Sequence, residues 1–196
     1  FNVGTTSVTY FVTDACGNSG SCTFNVVVDD GAPPICRVRN ISINLNAAGI
    51  ATIADPSVFN NGTFDECNNL PLTFSVDRSQ FSCIELGMSI PVNVTVADAS
   101  GNSSTCVANV TPIDTMRPIC TVNDLTIDIT DAQPFTILSP ADVIMNVSDN
   151  CNIMQDTILS KTFFSCADLG TQILRVVVRD QSGNSSSCEA TITVRD

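Results

Sequence analysis

Apolar and polar residues alternate with period two along much of the chain. Val92, Val94 and Val96 share one face of a segment whose other face carries Asn93, Thr95 and Ala97. Val8, Tyr10 and Val12 repeat the pattern, as do Leu174, Val176 and Val178. Further on, Cys22, Phe24 and Val26 alternate, then Cys106, Ala108 and Val110, then Cys188, Ala190 and Ile192. Such alternation predicts β-strands with one buried face. Each strand pair flanks the same frame, Val-x-Asp-x-x-Gly-Asn-x-x-x-Cys, at 12–22, 96–106 and 178–188. Gly and Asn tolerate positive φ, and Asp and Ser bond nearby backbone, so each frame predicts a tight hairpin turn. No helical periodicity is sustained.

The cysteines carry the same period. Cys36, Cys67, Cys83 and Cys106 recur as Cys120, Cys151, Cys166 and Cys188, displaced by 84, 84, 83 and 82 residues. A unit of that size can enclose its own core, so the copies are expected to be domains: 31–114, 115–196, and a C-terminal half-copy at 1–30. The linkers 29–34 and 113–118 are short and contain Pro, which stiffens a joint. Two strands alone make a marginal hairpin. The half-copy is therefore expected to lack its preceding strands by truncation, or to receive them from another protomer by strand complementation.

Each full copy opens on Ile-Cys and an alternating strand, Ile41, Ile43 and Leu45 or Leu125, Ile127 and Ile129. A second strand follows near 50–53 and 135–138, broken by Asp55-Pro56 and Ser139-Pro140. Asp65-Glu66-Cys67 or Asp149-Asn150-Cys151 comes next, and 72–76 reads as a further strand. Gln80-Phe81-Ser82-Cys83 and Phe163-Phe164-Ser165-Cys166 then lead through Leu-Gly turns into the penultimate strand. Short strands with Gly, Pro and Asn turns predict an all-β fold of tandem immunoglobulin-like antiparallel sandwiches arranged as a rod.

Ten cysteines without a Cys-x-x-Cys, in a chain with no His, point to disulfides in an oxidising compartment instead of zinc. In a seven-strand sandwich the first and last strands start at the same pole. Cys36–Cys106 and Cys120–Cys188 are therefore expected, leaving Cys67–Cys83 and Cys151–Cys166. Loop entropy predicts about 4 kcal/mol for a long crosslink and about 3 kcal/mol for a short one. Cys16 and Cys22 either lack partners from the missing half-copy or bond across their own hairpin.

A net charge of −12, with eight basic residues, excludes a phosphate-binding surface and nucleic acid as a partner. No apolar run has membrane-spanning length, and no signal peptide is evident. Without His there is no Ser-His-Asp or Cys-His constellation, no glycine-rich phosphate loop occurs, and Asp65-Glu66 are turn neighbours. No enzymatic activity is expected. Sequons occur at Asn40, Asn61, Asn93, Asn102, Asn109, Asn146 and Asn184. Asn93 and Asn109 fall on outward strand faces, and Asn102 and Asn184 in turns expected to be exposed. A eukaryotic secretory pathway is expected to glycosylate several of them. In a bacterial protein they are solvated turn residues. Acidic residues gather near the joints, which makes Asp29, Asp30, Asp98 and Asp114 candidate calcium ligands, although local Asx turns also account for such aspartates.

Residues 1–36, from Phe-Asn-Val-Gly-Thr-Thr-Ser-Val-Thr-Tyr through Asp-Ala-Cys-Gly-Asn and Cys-Thr-Phe-Asn-Val-Val-Val to Pro-Pro-Ile-Cys, resemble the C-terminal half of a hyalin repeat (HYR) domain. The full copies resemble related immunoglobulin-like repeats through Asp-Asn-Cys, Phe-x-Cys-x-x-Leu-Gly and the hairpin frame. They have Ser100 and Ser182 where Cys16 stands, so the hyalin disulfide pairing is not carried over to them. The resemblance implies extracellular architecture and adhesion at the cell surface. The expected function is a disulfide-stapled structural segment of an extracellular filament, stalk or matrix glycoprotein. Its partners are then neighbouring repeats or protomers. The competing reading is an adhesive module gripping a glycan or receptor through the turns around Asn18, Asn102 and Asn184. An exposed aromatic patch or one divergent turn would favour that reading.

Overall fold

A computed structural model describes residues 2–67, 71–151 and 153–196. The half-copy is a long antiparallel hairpin of β1 (Gly4–Thr13) and β2 (Ser19–Val28), with Val8 opposite Phe24 and Tyr10 opposite Cys22. The rings of Tyr10 and Phe24 stack with centroids 5.7 Å apart. Its alternating apolar face is largely exposed, as expected of two strands without an opposing sheet: Tyr10 is 63% exposed and Val12 69%.

The second copy contains β3 (Ile41–Asn44), β4 (Ile50–Thr52), β5 (Thr73–Val76), β6 (Gln80–Ser82), β7 (Ile90–Ala97) and β8 (Ser103–Ile113). The third contains β9 (Ile119–Val122), β10 (Leu125–Asp128), β11 (Phe135–Ile137), β12 (Ile144–Ser148), β13 (Ile153–Leu159), β14 (Phe163–Ser165), β15 (Gly170–Asp180) and β16 (Ser185–Arg195). Two four-stranded sheets, β3-β8-β7-β5 and β10-β16-β15-β13, correspond to one another. In each, the first strand lies parallel to the last: Ile41 is opposite Val110, and Leu125 opposite Ile192. The antiparallel pairs β4-β6, β11-β14 and β9-β12 complete the strand pairing. The fold class is all-β.

Helical turns stand where Pro breaks a strand. Pro56–Phe59 forms a 3-10 turn capped by Asp55, whose carboxylate accepts the Ser57 N–H at 2.9 Å. Pro140–Val143 forms one turn of α-helix, α1, and Asp142 reaches back to the Ser139 N–H at 2.7 Å. Pro at such an N-terminus loses no hydrogen bond and presets φ. The expectation of a strand break at these positions thus resolves into capped turns that carry Phe59 and Val143 into full burial.

Chain contacts divide the molecule into two compact units. The first comprises Phe1–Asn40, Ala54–Arg78 and Pro91–Asn109; the second comprises Ile41–Ile53, Ser79–Ile90 and Val110–Asp196. The second unit therefore holds the whole third copy and parts of the second. In the third copy, Ile127, Ile129, Leu138, Val143, Phe164, Leu174, Val176, Val178, Ala190, Ile192 and Val194 form one apolar cluster. Ile127, Ile129, Leu174, Val176, Val178, Ala190 and Ile192 among them are inward positions that the period-two pattern marks; Val143 comes from α1. The second copy buries the equivalent Val92, Val94 and Val96, together with Phe59 and Phe81. Among the described residues, no helix is long and apolar enough to cross a membrane.

Phe164 is 1% exposed at the centre of the third-copy cluster, while Ile173 on the outward face of β15 is 62% exposed. Phe164→Ala should destabilise by roughly 3–5 kcal/mol through the cavity it leaves. Ile173→Ala should change stability by no more than about 0.5 kcal/mol. Urea unfolding of both variants, followed by far-UV circular dichroism, measures the difference.

Candidate functional site: the acidic turn and its crosslinks

The three hairpin frames build the same turn. Asp14, Asp98 and Asp180 each accept the backbone N–H four residues on, from Asn18, Asn102 and Asn184, at 2.8, 2.9 and 2.7 Å. The second carboxylate oxygen accepts the same asparagine's Nδ2–H, at 2.8, 3.0 and 2.7 Å. Gly17, Gly101 and Gly183 sit at φ +89°, +92° and +90°, a region side chains avoid. Hydrogen bonding from the Asn18 side chain and backbone holds the Asp14 carboxyl below the usual carboxylate range. Burial pushes Asp98 the other way, but the hydrogen bonds from Asn102, Ser100 and Gly101 together outweigh it and lower its pKa.

The asparagine has a second task that its sequence context did not reveal. Asn102 Nδ2 also donates to the Asp30 carbonyl at 3.0 Å, and Asn184 Nδ2 to the Asp114 carbonyl at 3.1 Å. Ser104 Oγ donates to the Pro34 carbonyl at 2.6 Å, and Ser186 Oγ to the Pro118 carbonyl. Each turn thus clamps the linker that opens its own copy. The signal was in the spacing, since linker and frame recur together. Asn102 and Asn184 are consequently half-buried, with the amide nitrogen that would carry a glycan already bonded. This corrects the expectation of freely exposed acceptors there. Asn40, Asn61, Asn93 and Asn146 are exposed, and Asn109 is half-buried on β8.

Cys36 is bonded to Cys106 with Cα atoms 6.1 Å apart, and Cys120 to Cys188 at 6.2 Å. The parallel pairs β3–β8 and β10–β16 bring the residues just before β3 and β10 beside Cys106 and Cys188. The shorter crosslinks differ from expectation. Cys67–Cys83 and Cys151–Cys166 do not form; Cys83 is bonded instead to Cys151, with Cα atoms 5.3 Å apart. Cys67 and Cys166 are exposed free thiols, as are Cys16 and Cys22, which do not bridge their hairpin. The expectation assumed that every bridge closes within one copy. The chain instead sets the 3-10 turn Cys83–Glu85 of the second copy against the Asp149-Asn150-Cys151 turn of the third, where Asn150 Nδ2 donates to the Asn46 carbonyl at 3.2 Å. Gly49 makes room for this: a Cβ there would lie 2.6 Å from Cys83 Sγ and 2.7 Å from the Asn150 carbonyl oxygen. Hydrogen bonding to Asp30, then burial and the charges of Asp30, Asp65 and Glu66, raise the pKa of the Cys67 thiol.

Among the described residues, two groups of potential metal ligands lie at these turns. Asp114, Asp149 and Asp180 bring one carboxylate oxygen each within 4.8 Å of one another. Asp114 is 7% exposed and Asp180 wholly buried. Like charges at that separation repel by about 3 kcal/mol per pair at an effective dielectric of about 20. Asp114 Oδ1 accepts the Met116 N–H and Asp149 Oδ2 the Cys151 N–H, but Asp114 Oδ2, Asp149 Oδ1 and Asn150 Oδ1 have no partner. The second group is Asp30, Asp65 and Cys67. Of the calcium candidates expected from sequence, Asp30 and Asp114 fall in these groups. Asp29 and Asp98 fall in neither.

The fold and its crosslinked turns define an all-β, disulfide-bonded repeat protein, and its relatives are of the HYR kind. Residues 1–28 match the HYR domain family. The chain is 28% identical over 210 residues to hyalin of Strongylocentrotus purpuratus, covering 99% of this chain and 16% of hyalin. It is 28% identical over 109 residues to sushi, von Willebrand factor type A, EGF and pentraxin domain-containing protein 1 of Rattus norvegicus, covering 54% of this chain and 3% of that protein. The chain thus spans a small part of the curated relatives it matches. Among solved structures it is similar to human protocadherin-24 EC1-2, with TM-score 0.42 and 11% identity over 84% of this chain and 97% of the other. It is also similar to an I-band fragment of titin, with TM-score 0.36 and 12% identity over 98% and 75%.

Gly49→Ala should impair the Cys83–Cys151 bridge, because both the added Cβ and the φ of +70° are unfavourable. Non-reducing peptide mapping should then find Cys83 and Cys151 partly free, with Cys36–Cys106 and Cys120–Cys188 retained. The lowered pKa of Asp98 makes a separate prediction. Stability from its ionised form is fully present above the unfolded value of about 3.9 and is lost as pH falls through the lower folded value. Asp98→Asn should therefore flatten the fall in melting temperature below about pH 4, read from thermal melts between about pH 6 and pH 2.

Proposed function

We propose that the chain is a non-catalytic structural segment of an extracellular filament, stalk or matrix glycoprotein, in which turn clamps fix each linker to the copy it opens and one crosslink joins the second copy to the third. The observation that carries this reading is the Cys83–Cys151 bond, which joins a cysteine of the second sequence copy to one of the third. By loop entropy, a bridge over 68 residues of separation stabilises by about 4 kcal/mol. A joint held this way resists local opening, which is what proteases and mechanical load exploit. The similarity to hyalin along nearly the whole chain supports an extracellular setting, as do three disulfides and a net charge of −12.

The adhesive alternative has the exposed aromatic residues Tyr10, Phe11 and Phe24 of the first hairpin in its favour, but not the turns it invokes. Asn18, Asn102 and Asn184 are engaged inside their own turns, so the side chains that would grip a ligand are occupied. Partners are then neighbouring repeats or further copies of the same protein. The exposed apolar face of the half-copy hairpin is a surface for completing strands.

Peptide mapping of the protein secreted from eukaryotic cells tests the reading. We expect Cys83 linked to Cys151, and glycans on some of Asn40, Asn61 and Asn146 but not on Asn102, Asn184 or Asn93, whose Nδ2 donates to Asp77 at 2.7 Å. Limited proteolysis should cut the 113–118 linker only after reduction. Free Cys83 and Cys151 in secreted protein, or equal cleavage of that linker before and after reduction, would overturn it.

A further inference from the structure

We propose that Asp114, Asp149 and Asp180 form a calcium site that ties the second linker to two turns of the third copy. The three carboxylates converge within 4.8 Å, and none of the unpartnered oxygens there meets a hydrogen-bond donor. Asp114 decides the matter. At 7% exposure it is more than nine-tenths buried, one oxygen is held by the Met116 N–H, and the other is left bare beside two further acids. A buried carboxylate oxygen without a donor is costly and calls for a partner such as a water or a cation; beside two further carboxylates, a cation offsets the repulsion that a water leaves. Neighbouring Asn150 offers a further unpartnered side-chain oxygen. Asp180 adds the third charge. Both of its oxygens accept from Asn184, and a carboxylate oxygen bonded once retains a second lone pair.

The donor set selects the ion class. Every donor is oxygen, His is absent from the chain, and Cys151 is withdrawn as a thiolate because it is bonded to Cys83. That excludes the nitrogen and sulfur ligation that zinc prefers. Carboxylates with amide oxygens suit calcium, which takes six to eight oxygens in adaptable geometry; magnesium demands a near-ideal octahedron and keeps its water. The other group, Asp30, Asp65 and Cys67, supplies two carboxylates and a thiol held protonated by its acidic neighbours, a poorer set for the same ion. One calcium per chain is therefore expected at low millimolar concentration. Bound there, the ion would hold Asp114 of the linker, Asp149 beside the crosslinked Cys151, and Asp180 of the clamp turn as one cluster.

The test uses the full, disulfide-intact chain, stripped of metal with chelator and titrated with calcium chloride while its thermal melting is followed. Binding is expected with a dissociation constant of about 0.1–1 mM, the range of extracellular calcium modules. Calcium at 100 times that constant should raise the folded-to-unfolded ratio about 100-fold. Asp149→Asn gives the discriminating arm. It removes like-charge repulsion, so in chelator its melting temperature should equal or exceed that of the parent, while its calcium response falls at least tenfold. Asp124→Asn, outside the cluster, should respond as the parent does. No melting shift at about 10 mM calcium would overturn the site, since that exceeds the expected dissociation constant. So would an Asp149→Asn variant that melts lower in chelator yet keeps the parent's calcium response. An equal response to magnesium at equal concentration would overturn the assignment to calcium. The disulfide map is read separately, so loss of the calcium site would leave the crosslinked joint standing.

Discussion

The bond from the turn asparagine to the linker carbonyl is the constraint on which the rest of this architecture depends. Asp180 is wholly buried, and it remains tolerable there because it accepts both the backbone and side-chain N–H groups of Asn184. Asn184 Nδ2 carries two hydrogens, and besides the bond to Asp180 it donates to the Asp114 carbonyl and fixes where the third copy begins. The Asp98–Asn102 pair does the same for Asp30. A hairpin turn is ordinarily local. Here it is a lock between the last hairpin of a copy and the chain entering that copy, and the neighbouring serine repeats the contact one step further along.

Once the linker is held, the cysteines follow. β3 runs parallel to β8 and β10 to β16, and the chain just before β3 and β10 carries Cys36 and Cys120 to Cys106 and Cys188. The linker's course also sets the Asp149-Asn150-Cys151 turn against Cys83 and Gly49, so the third bridge joins consecutive copies. The same closeness gathers Asp114, Asp149 and Asp180. Crosslink and acid cluster are thus two results of one placement. A covalent bond holds Cys151 where its own turn presents like charge, which keeps the acids together despite their repulsion. A repeat crosslinked in this manner is held at its joint as well as by its cores.

Composition acts in the same direction. With a single Lys and seven Arg against 20 acidic residues, the chain has few cations to neutralise buried carboxylates. Hydrogen bonds from backbone amides and asparagine do so instead, at Asp98 and Asp180. Lys161, paired with Asp168 and placed 5.1 Å over the Phe164 ring, is a local exception that closes the turn before β15. Where neither amide nor cation reaches, as at Asp114 Oδ2 and Asp149 Oδ1, and at Asp30 Oδ2 and Asp65 Oδ2 in the other acidic group, the oxygens are left bare; the all-oxygen donor set and the burial of Asp114 and Asp180 distinguish the first cluster.

Much of this was legible in the linear chain. Period-two alternation marked Val92, Val94 and Val96, and Leu174, Val176 and Val178, as inward positions, because side chains on a strand alternate by geometry alone. The repeated Asp-x-x-Gly-Asn marked the turns, because its φ and hydrogen-bond requirements are local. The repeat and the strand polarity it implies were enough to anticipate Cys36–Cys106 and Cys120–Cys188. What the chain could not disclose depends on how one copy meets the next. The partner of Cys83, the second hydrogen bond of Asn184, and the meeting of Asp114 with Asp149 and Asp180 join residues that are remote in sequence and lie in no shared periodic pattern. Only the tertiary path of the linker brings them together, and it is there, not within the strands, that the sequence left alternatives open.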